Sequence, residues 1–183
     1  HGISLIFHVA THTHSGPKLK PNLPSPENQW LDTLEAKLIE AIGQAVSAKG
    51  PAIVLVGYGE SDFSYDRREV KPDGTVHMLF RNPDRKQPAP VDQTVGVVAF
   101  RTTENEPLAT LVHFACHSVI FGGENQKYSA DYSGALCAQV EDEIGGTCVF
   151  LQGAAGDVNP YTRATPDGEG YARLRESGKS LGK

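Results

Sequence analysis

The sequence predicts an α/β fold with a mixed β-sheet flanked by helices, and three observations carry the prediction. Short apolar runs recur at residues 3–10, 52–56, 95–101, 108–116 and 147–151, each bounded by turn-forming residues. Two longer segments, after Ser25 and after Asp131, space their apolar residues as a single helical face. Helical and strand-like segments follow one another along the chain instead of falling into separate blocks.

Residues 3–10 (ISLIFHVA) are apolar on both faces, as a central strand covered on both sides is. They run directly into residues 11–17 (THTHSGP), and a polar, Pro-rich loop occupies residues 18–24. Ser25, Pro26 and Glu27 form a helix start: Ser as N-cap, Pro at the first helical position, Glu at the positive end of the dipole. Leu31, Leu34, Leu38, Ile42 and Val46 then define a buried face, and Gly50-Pro51 ends the helix. Residues 52–56 (AIVLV) are a second buried strand, so strand, helix and strand predict a βαβ unit with parallel strands.

Residues 57–90 are irregular, an excursion over the surface of the kind that often carries function. Within them Asp73-Gly74 marks a hairpin between residues 69–71 and 75–80. Strands 95–101 and 108–116 pair antiparallel across the short turn at 104–107. A helix from Asp131 to Ile144, with Leu136, Val140 and Ile144 on one face, stops at Gly145-Gly146. It feeds a buried strand, 147–151 (TCVFL), and then the turn 152–160 (QGAAGDVNP). A last helix begins near Asp167, anchored by Tyr171 and Leu174.

The chain has 183 residues, enough for one domain with a core of its own. Its net charge of −5 provides no basic stripe for nucleic acid and no polybasic patch for anionic lipid. No apolar run reaches the roughly 18 residues that a membrane-spanning helix needs. The chain opens at His1 inside a predicted strand. Residues 1–183 are therefore expected to be a single truncated α/β domain, a fragment of a larger one, with its compartment left open. Three cysteines, Cys116, Cys137 and Cys148, form no CxxC pair and are expected to be small buried apolar residues.

The chemistry-bearing residues sit where predicted strands end. His12 and His14 follow the first strand at spacing two, which in extended backbone puts both imidazoles on one side, able to share a metal ion. His117 follows the strand 108–116, and ligands gather at the carboxyl ends of strands in open α/β sheets. Alone, each histidine is as readily a solvated loop residue or a packed one. His8 and His113 lie within strands and are expected to be packed, whereas His77 falls in an exposed hairpin. The glycines of residues 153–156 expose N–H groups able to hold an oxyanion, and Asp157 is either a turn residue or a partner of the site. Arg67, in Asp66-Arg67-Arg68, can clamp a carbonyl, although a solvated surface is an equal reading.

Three segments together resemble one family, the neutral/alkaline ceramidases. Residues 11–17 (THTHSGP) are similar to that family's zinc-binding signature. Residues 114–134 (FACHSVIFGGENQKYSADYSG) resemble its second histidine segment, which in many relatives ends SADFPG. Residues 150–160 (FLQGAAGDVNP) resemble the segment that reads GDVSPN in true ceramidases. The resemblance implies an N-terminal domain of a zinc amidohydrolase that cleaves the N-acyl bond of ceramide, a lipid amide, with metal-activated water. It implies His12 and His117 as zinc ligands, His14 beside the substrate, and Arg67 as the counterpart of an Arg in an Asn-Arg-Ser segment, with Asp66 in place of the Asn. It also implies further zinc ligands, a Glu and a Tyr, from a remainder of the chain downstream, and a secreted or periplasmic setting. One departure bears on mechanism: Asn159 stands where the family has a catalytic Ser and has no hydroxyl to act as a nucleophile. The alternatives are a catalytically inactive binding or scaffold module, or a hydrolase of a different bond.

Overall fold

A computed structural model of the chain describes residues 3, 6–17, 29–122, 125–164 and 167–182. Eight strands and three α-helices are formed among them: α1 (Gln29–Ser47), β1 (Ile53–Glu60), β2 (Ser64–Asp66), β3 (Arg68–Val70), β4 (Val76–Met78), β5 (Thr94–Arg101), β6 (Pro107–Phe114), α2 (Asp131–Ile144), β7 (Thr147–Gln152), β8 (Val158–Pro160) and α3 (Gly168–Leu181). The main sheet has the order β1-β5-β6-β7. β1 and β6 both run antiparallel to β5, and β7 runs parallel to β6, with Val112 opposite Phe150 and Phe114 opposite Gln152. The sheet is thus mixed, and β1, β6 and β7 deliver their carboxyl ends to the same edge.

Alternation decides which face is covered. Thr110, Val112 and Phe114 of β6 and Cys148 and Phe150 of β7 are buried on one face, as period-two side chains require. Against them pack Tyr132, Leu136 and Val140 of α2 and Leu174 and Leu181 of α3, with Ile120, Phe121 and Val158 closing the cluster. Tyr132 meets Phe150 edge-to-face at 5.7 Å. Ile144, expected on the buried face of α2, is 44% exposed at the last position of the helix. Tyr171 packs on the cluster through Phe121 at 4.6 Å. The predicted hairpin forms as β3 and β4, and the turn between them is held by Asp73, which accepts from the Thr75 backbone N–H at 3.0 Å.

The first third of the chain departs from the predicted βαβ unit. Residues 6–10 form no strand, and Ile6 and Phe7 are 63% and 83% exposed. The expected N-cap at Ser25, Pro26 and Glu27 and the loop 18–24 lie outside the described residues. The apolar stripe of α1 is present, but none of its residues is buried, and Leu34 and Leu38 stay exposed. β1 is exposed at every position and pairs antiparallel with β5. The residues are apolar enough for burial, but helical and strand periodicity does not specify the surface that covers them. Here α2 and α3 cover β6 and β7, and among the described residues no layer covers β1.

Candidate metal centre

Three loops meet at the edge where β6 and β7 end. The first carries His12 and His14, the second follows β6 through Ala115 and Cys116 to His117, and the third is the turn between β7 and β8. The imidazole centroids lie 5.1 Å apart for His12 and His14, 4.9 Å for His12 and His117, and 5.5 Å for His14 and His117. One ring nitrogen from each lies within 4.8 Å of the other two, so the group has the compactness to hold a metal ion. The convergence does not arise from extended backbone. His12 has φ 57°, a left-handed conformation uncommon outside Gly, Asn and Asp, and the chain turns immediately after it.

Hydrogen bonds from distant segments fix this loop. The His14 N–H donates to the Ser118 carbonyl at 3.1 Å, so the two histidine loops are bonded directly to each other. Thr13 Oγ1 donates to the Ser129 carbonyl at 2.8 Å, and the Ser129 N–H donates to the Ser15 carbonyl at 3.1 Å. Ser129 Oγ in turn accepts from the Asp131 N–H at 3.0 Å. The buried Asp131 carboxylate accepts from the Ile120 N–H at 3.0 Å and the Tyr132 N–H at 2.8 Å. Thr13, Ser129 and Asp131 were not singled out by chemical reasoning on the sequence. Their one signal was the resemblance, Thr13 through residues 11–17 (THTHSGP) and Ser129 and Asp131 through residues 129–134 (SADYSG), since no spacing rule links residues this far apart.

His117 is 6% exposed, and its backbone N–H donates to the Val158 carbonyl at 2.9 Å. Its Nδ1 lies 3.2 Å from the same carbonyl. A carbonyl only accepts, so Nδ1 carries the hydrogen and the Nε2 lone pair is free for a ligand, the arrangement usual for a metal-binding histidine. Burial lowers the His117 pKa, with the Arg67 charge acting in the same direction and the Val158 carbonyl opposing. Burial, followed by His12, His117 and Arg67, also lowers that of His14. Both effects favour the neutral imidazole that a metal requires.

Arg67 reaches the site through the two-stranded sheet β2–β8, in which Tyr65 faces Asn159 and Asp66 faces Val158. Its N–H donates to the Asp157 carbonyl at 2.8 Å. Its guanidinium donates through Nη2 to the Gly156 carbonyl at 2.9 Å and through Nη1 to Asn159 Oδ1 at 3.4 Å. Its buried Nε has no partner among the described residues. Asn159 is 2% exposed, so its amide is packed behind Arg67 instead of opening to solvent. Asp157 makes an ion pair with Arg68, which accounts for it without a role at the histidines.

Two other expectations are revised. The Gly153 N–H donates to the Phe114 carbonyl at 3.0 Å, so it is not free for an oxyanion. His8 and His113 are exposed, not packed: His8 because no layer among the described residues covers residues 6–10, and His113 because it points to the face of β6 opposite α2 and α3. An apolar cleft of about 500 Å³, lined by Val95, Val97, Val112, Val140 and Leu181 among others, does not include the three histidines.

No family model matches the chain, and no curated protein matches it significantly. Solved structures do. The chain superposes on the neutral ceramidase of Pseudomonas aeruginosa with TM-score 0.61 and 19% identity, over 82% of this chain and 25% of that one. It superposes on a ceramidase complexed with C2 with TM-score 0.70 and 20% identity, over 95% of this chain and 29% of that one. It therefore spans between a quarter and 29% of the length of these neighbours. At such identity the likeness is one of fold, and the fold of this chain is that of a segment of the neutral ceramidases.

Proposed function

We propose that the chain contributes the metal-binding corner of a zinc-dependent hydrolase of the neutral ceramidase type, acting on an N-acyl bond in a ceramide-like or other amide substrate. The observation behind this reading is the convergence of His12, His14 and His117, from two remote segments, within the span of one metal ion. Their chemistry fits zinc: three imidazoles, with the neutral form favoured at His14 and His117 and the Nε2 of His117 left free by a hydrogen bond on the opposite nitrogen. His12 and His117, the closest of the three ring pairs, are the proposed ligands. Bound zinc would supply a coordinated water with a pKa of about 7 and a Lewis acid for the scissile carbonyl. His14 faces the substrate, binding it or carrying a proton. Arg67 holds the carbonyl oxygen as negative charge develops on it, and Asn159 keeps the guanidinium in position. Residues outside these 183 are proposed to complete the ligand set, since catalytic zinc commonly takes three protein ligands and keeps one position open.

Asn159 also favours a second reading, a binding module without turnover, because no hydroxyl stands at that position. Cobalt substitution tests the metal reading. Co2+ added to the metal-free chain should give visible d–d absorption, and the His12→Ala/His117→Ala double variant should lose it. An unchanged spectrum in that variant overturns the assignment. Chelator-sensitive release of fatty acid from an N-acyl substrate panel by the parent protein favours the hydrolase. Metal binding with no turnover on the panel favours the binding module.

A further inference from the structure

We infer that Cys137 and Cys148 form a redox-active thiol pair that closes to an intrachain disulfide joining α2 to β7. The inference does not depend on the proposed metal centre. It replaces the expectation, drawn from spacing alone, that all three cysteines are inert packing.

The helix and the strand are consecutive and antiparallel. They are joined only by Gly145 and Gly146, both at positive φ (84° and 74°), so α2 folds straight back over β7. Cys148 and Phe150 point to the face of the sheet that α2 covers. On α2, Cys137 and Glu141 are one turn apart and share a stripe. Glu141 Oε1 accepts from the Cys148 backbone N–H at 2.8 Å, which brings this stripe directly over the start of β7. Cys137 packs on the cluster of which Cys148 is a member, and each thiol is the leading electrostatic neighbour of the other. The third cysteine is set apart: Cys116 is fully buried beside His117, and its thiol is pushed well up by burial.

The two sulfurs differ in a way that orders the chemistry. Cys137 is half-buried and Cys148 is 8% exposed. The neighbouring Cys148 thiol lowers the Cys137 pKa, while Cys148 holds its own proton more firmly. Cys137 is therefore the sulfur that meets an oxidant from solution, and Cys148 is the resolving sulfur. With a low-molecular-weight disulfide such as glutathione disulfide, the Cys137 thiolate attacks one sulfur, forms a mixed disulfide and expels one glutathione thiolate. Cys148, deprotonated, then attacks the Cys137 sulfur and expels the second. Two protein thiols are oxidised, one glutathione disulfide is reduced to two thiols, and both protons finish on glutathione.

The test is a thiol count and peptide map of the folded chain after incubation with glutathione disulfide, alkylated under denaturing conditions. The count should fall from three to one, with Cys137 and Cys148 cross-linked and Cys116 alkylated. The Cys148→Ala variant should stop at a glutathione adduct on Cys137, and the Cys137→Ser variant should keep both its thiols. Three free thiols in the oxidised wild type, a cross-link to Cys116, or a cross-link only between chains overturns the inference. A Cys148→Ala chain that fails to fold leaves the wild-type map and the Cys137→Ser count to decide.

Discussion

At the scale of single residues, the three histidines differ in how they are held. His117 is locked by two contacts to one carbonyl, whereas His12 sits in a left-handed backbone and His14 is tied through its N–H to Ser118. The environment of His14 and His117 has a measurable consequence. Their folded-state pKa values lie below the ordinary 6.5, so just beneath 6.5 the unfolded chain binds more protons than the folded one. Stability of the metal-free chain should therefore fall as pH drops through 6.5, and the loss should level off below the folded-state values. Urea unfolding in chelator at about one unit either side of 6.5 reads this, and the His14→Gln/His117→Gln variant should lack the slope. An equal slope in that variant would assign it to other groups. Histidines at predicted strand ends were legible in the sequence. Arg67 was legible only as a residue type and through the resemblance, because it is the pairing of β2 with β8 that carries it toward them.

At the scale of elements, α2 and α3 approach each other closely at Gly178. A Cβ there would lie 2.6 Å from the Tyr132 carbonyl oxygen and 2.7 Å from the Leu136 nitrogen, and would also strike Ala135. Both backbone atoms belong to the helix that carries Asp131, which anchors the loop following His117. Gly178→Ala is predicted to destabilise the chain by about 1–3 kcal/mol through overpacking. Gly168, at the start of the same helix, has nothing within 4 Å of its Cβ position. Gly168→Ala should therefore be neutral or slightly stabilising. Denaturant titrations of the pair separate packing from helix propensity. Equal effects from the two substitutions would contradict the close approach. The boundaries of α2, β5, β6 and β7 followed closely from apolar spacing and from the Gly145-Gly146 stop. The Gly178 contact could not, since it depends on which helix lies across which.

At the scale of the whole molecule, burial is uneven. β6, β7, α2 and α3 enclose the core, while α1, β1 and residues 6–10 keep large apolar side chains in solvent. Segments with few buried contacts open at low free energy. In native-state hydrogen exchange, amides of α1 should exchange far faster than those of α2 and β6. Protection of α1 equal to that of α2 would mean that its stripe is covered in solution. The histidines straddle this division, with His117 on the core side and His12 and His14 on a loop held to it by Ser118 and Ser129. Zinc bridging His12 and His117 would join the two parts, so exchange of His14 and Ser15 amides should slow when metal is added.

The sequence by itself determined the chemical inventory and most of the local structure: imidazoles beside predicted strand ends, an α/β pattern, a hairpin at Asp73-Gly74, a helix at residues 131–144 and a turn rich in glycine before Asn159. These are short-range properties, set by side-chain periodicity and by the few residues that tolerate a turn. The tertiary structure alone decided that β1 runs against β5 with every position exposed, that α1 carries an apolar stripe it does not bury, and that Asn159 lies packed behind Arg67. It also decided that His12, His14 and His117 share one centre. Periodicity states that a face is apolar, but the partner that covers it, like the segment that meets a histidine, is set by contacts between residues far apart in the chain.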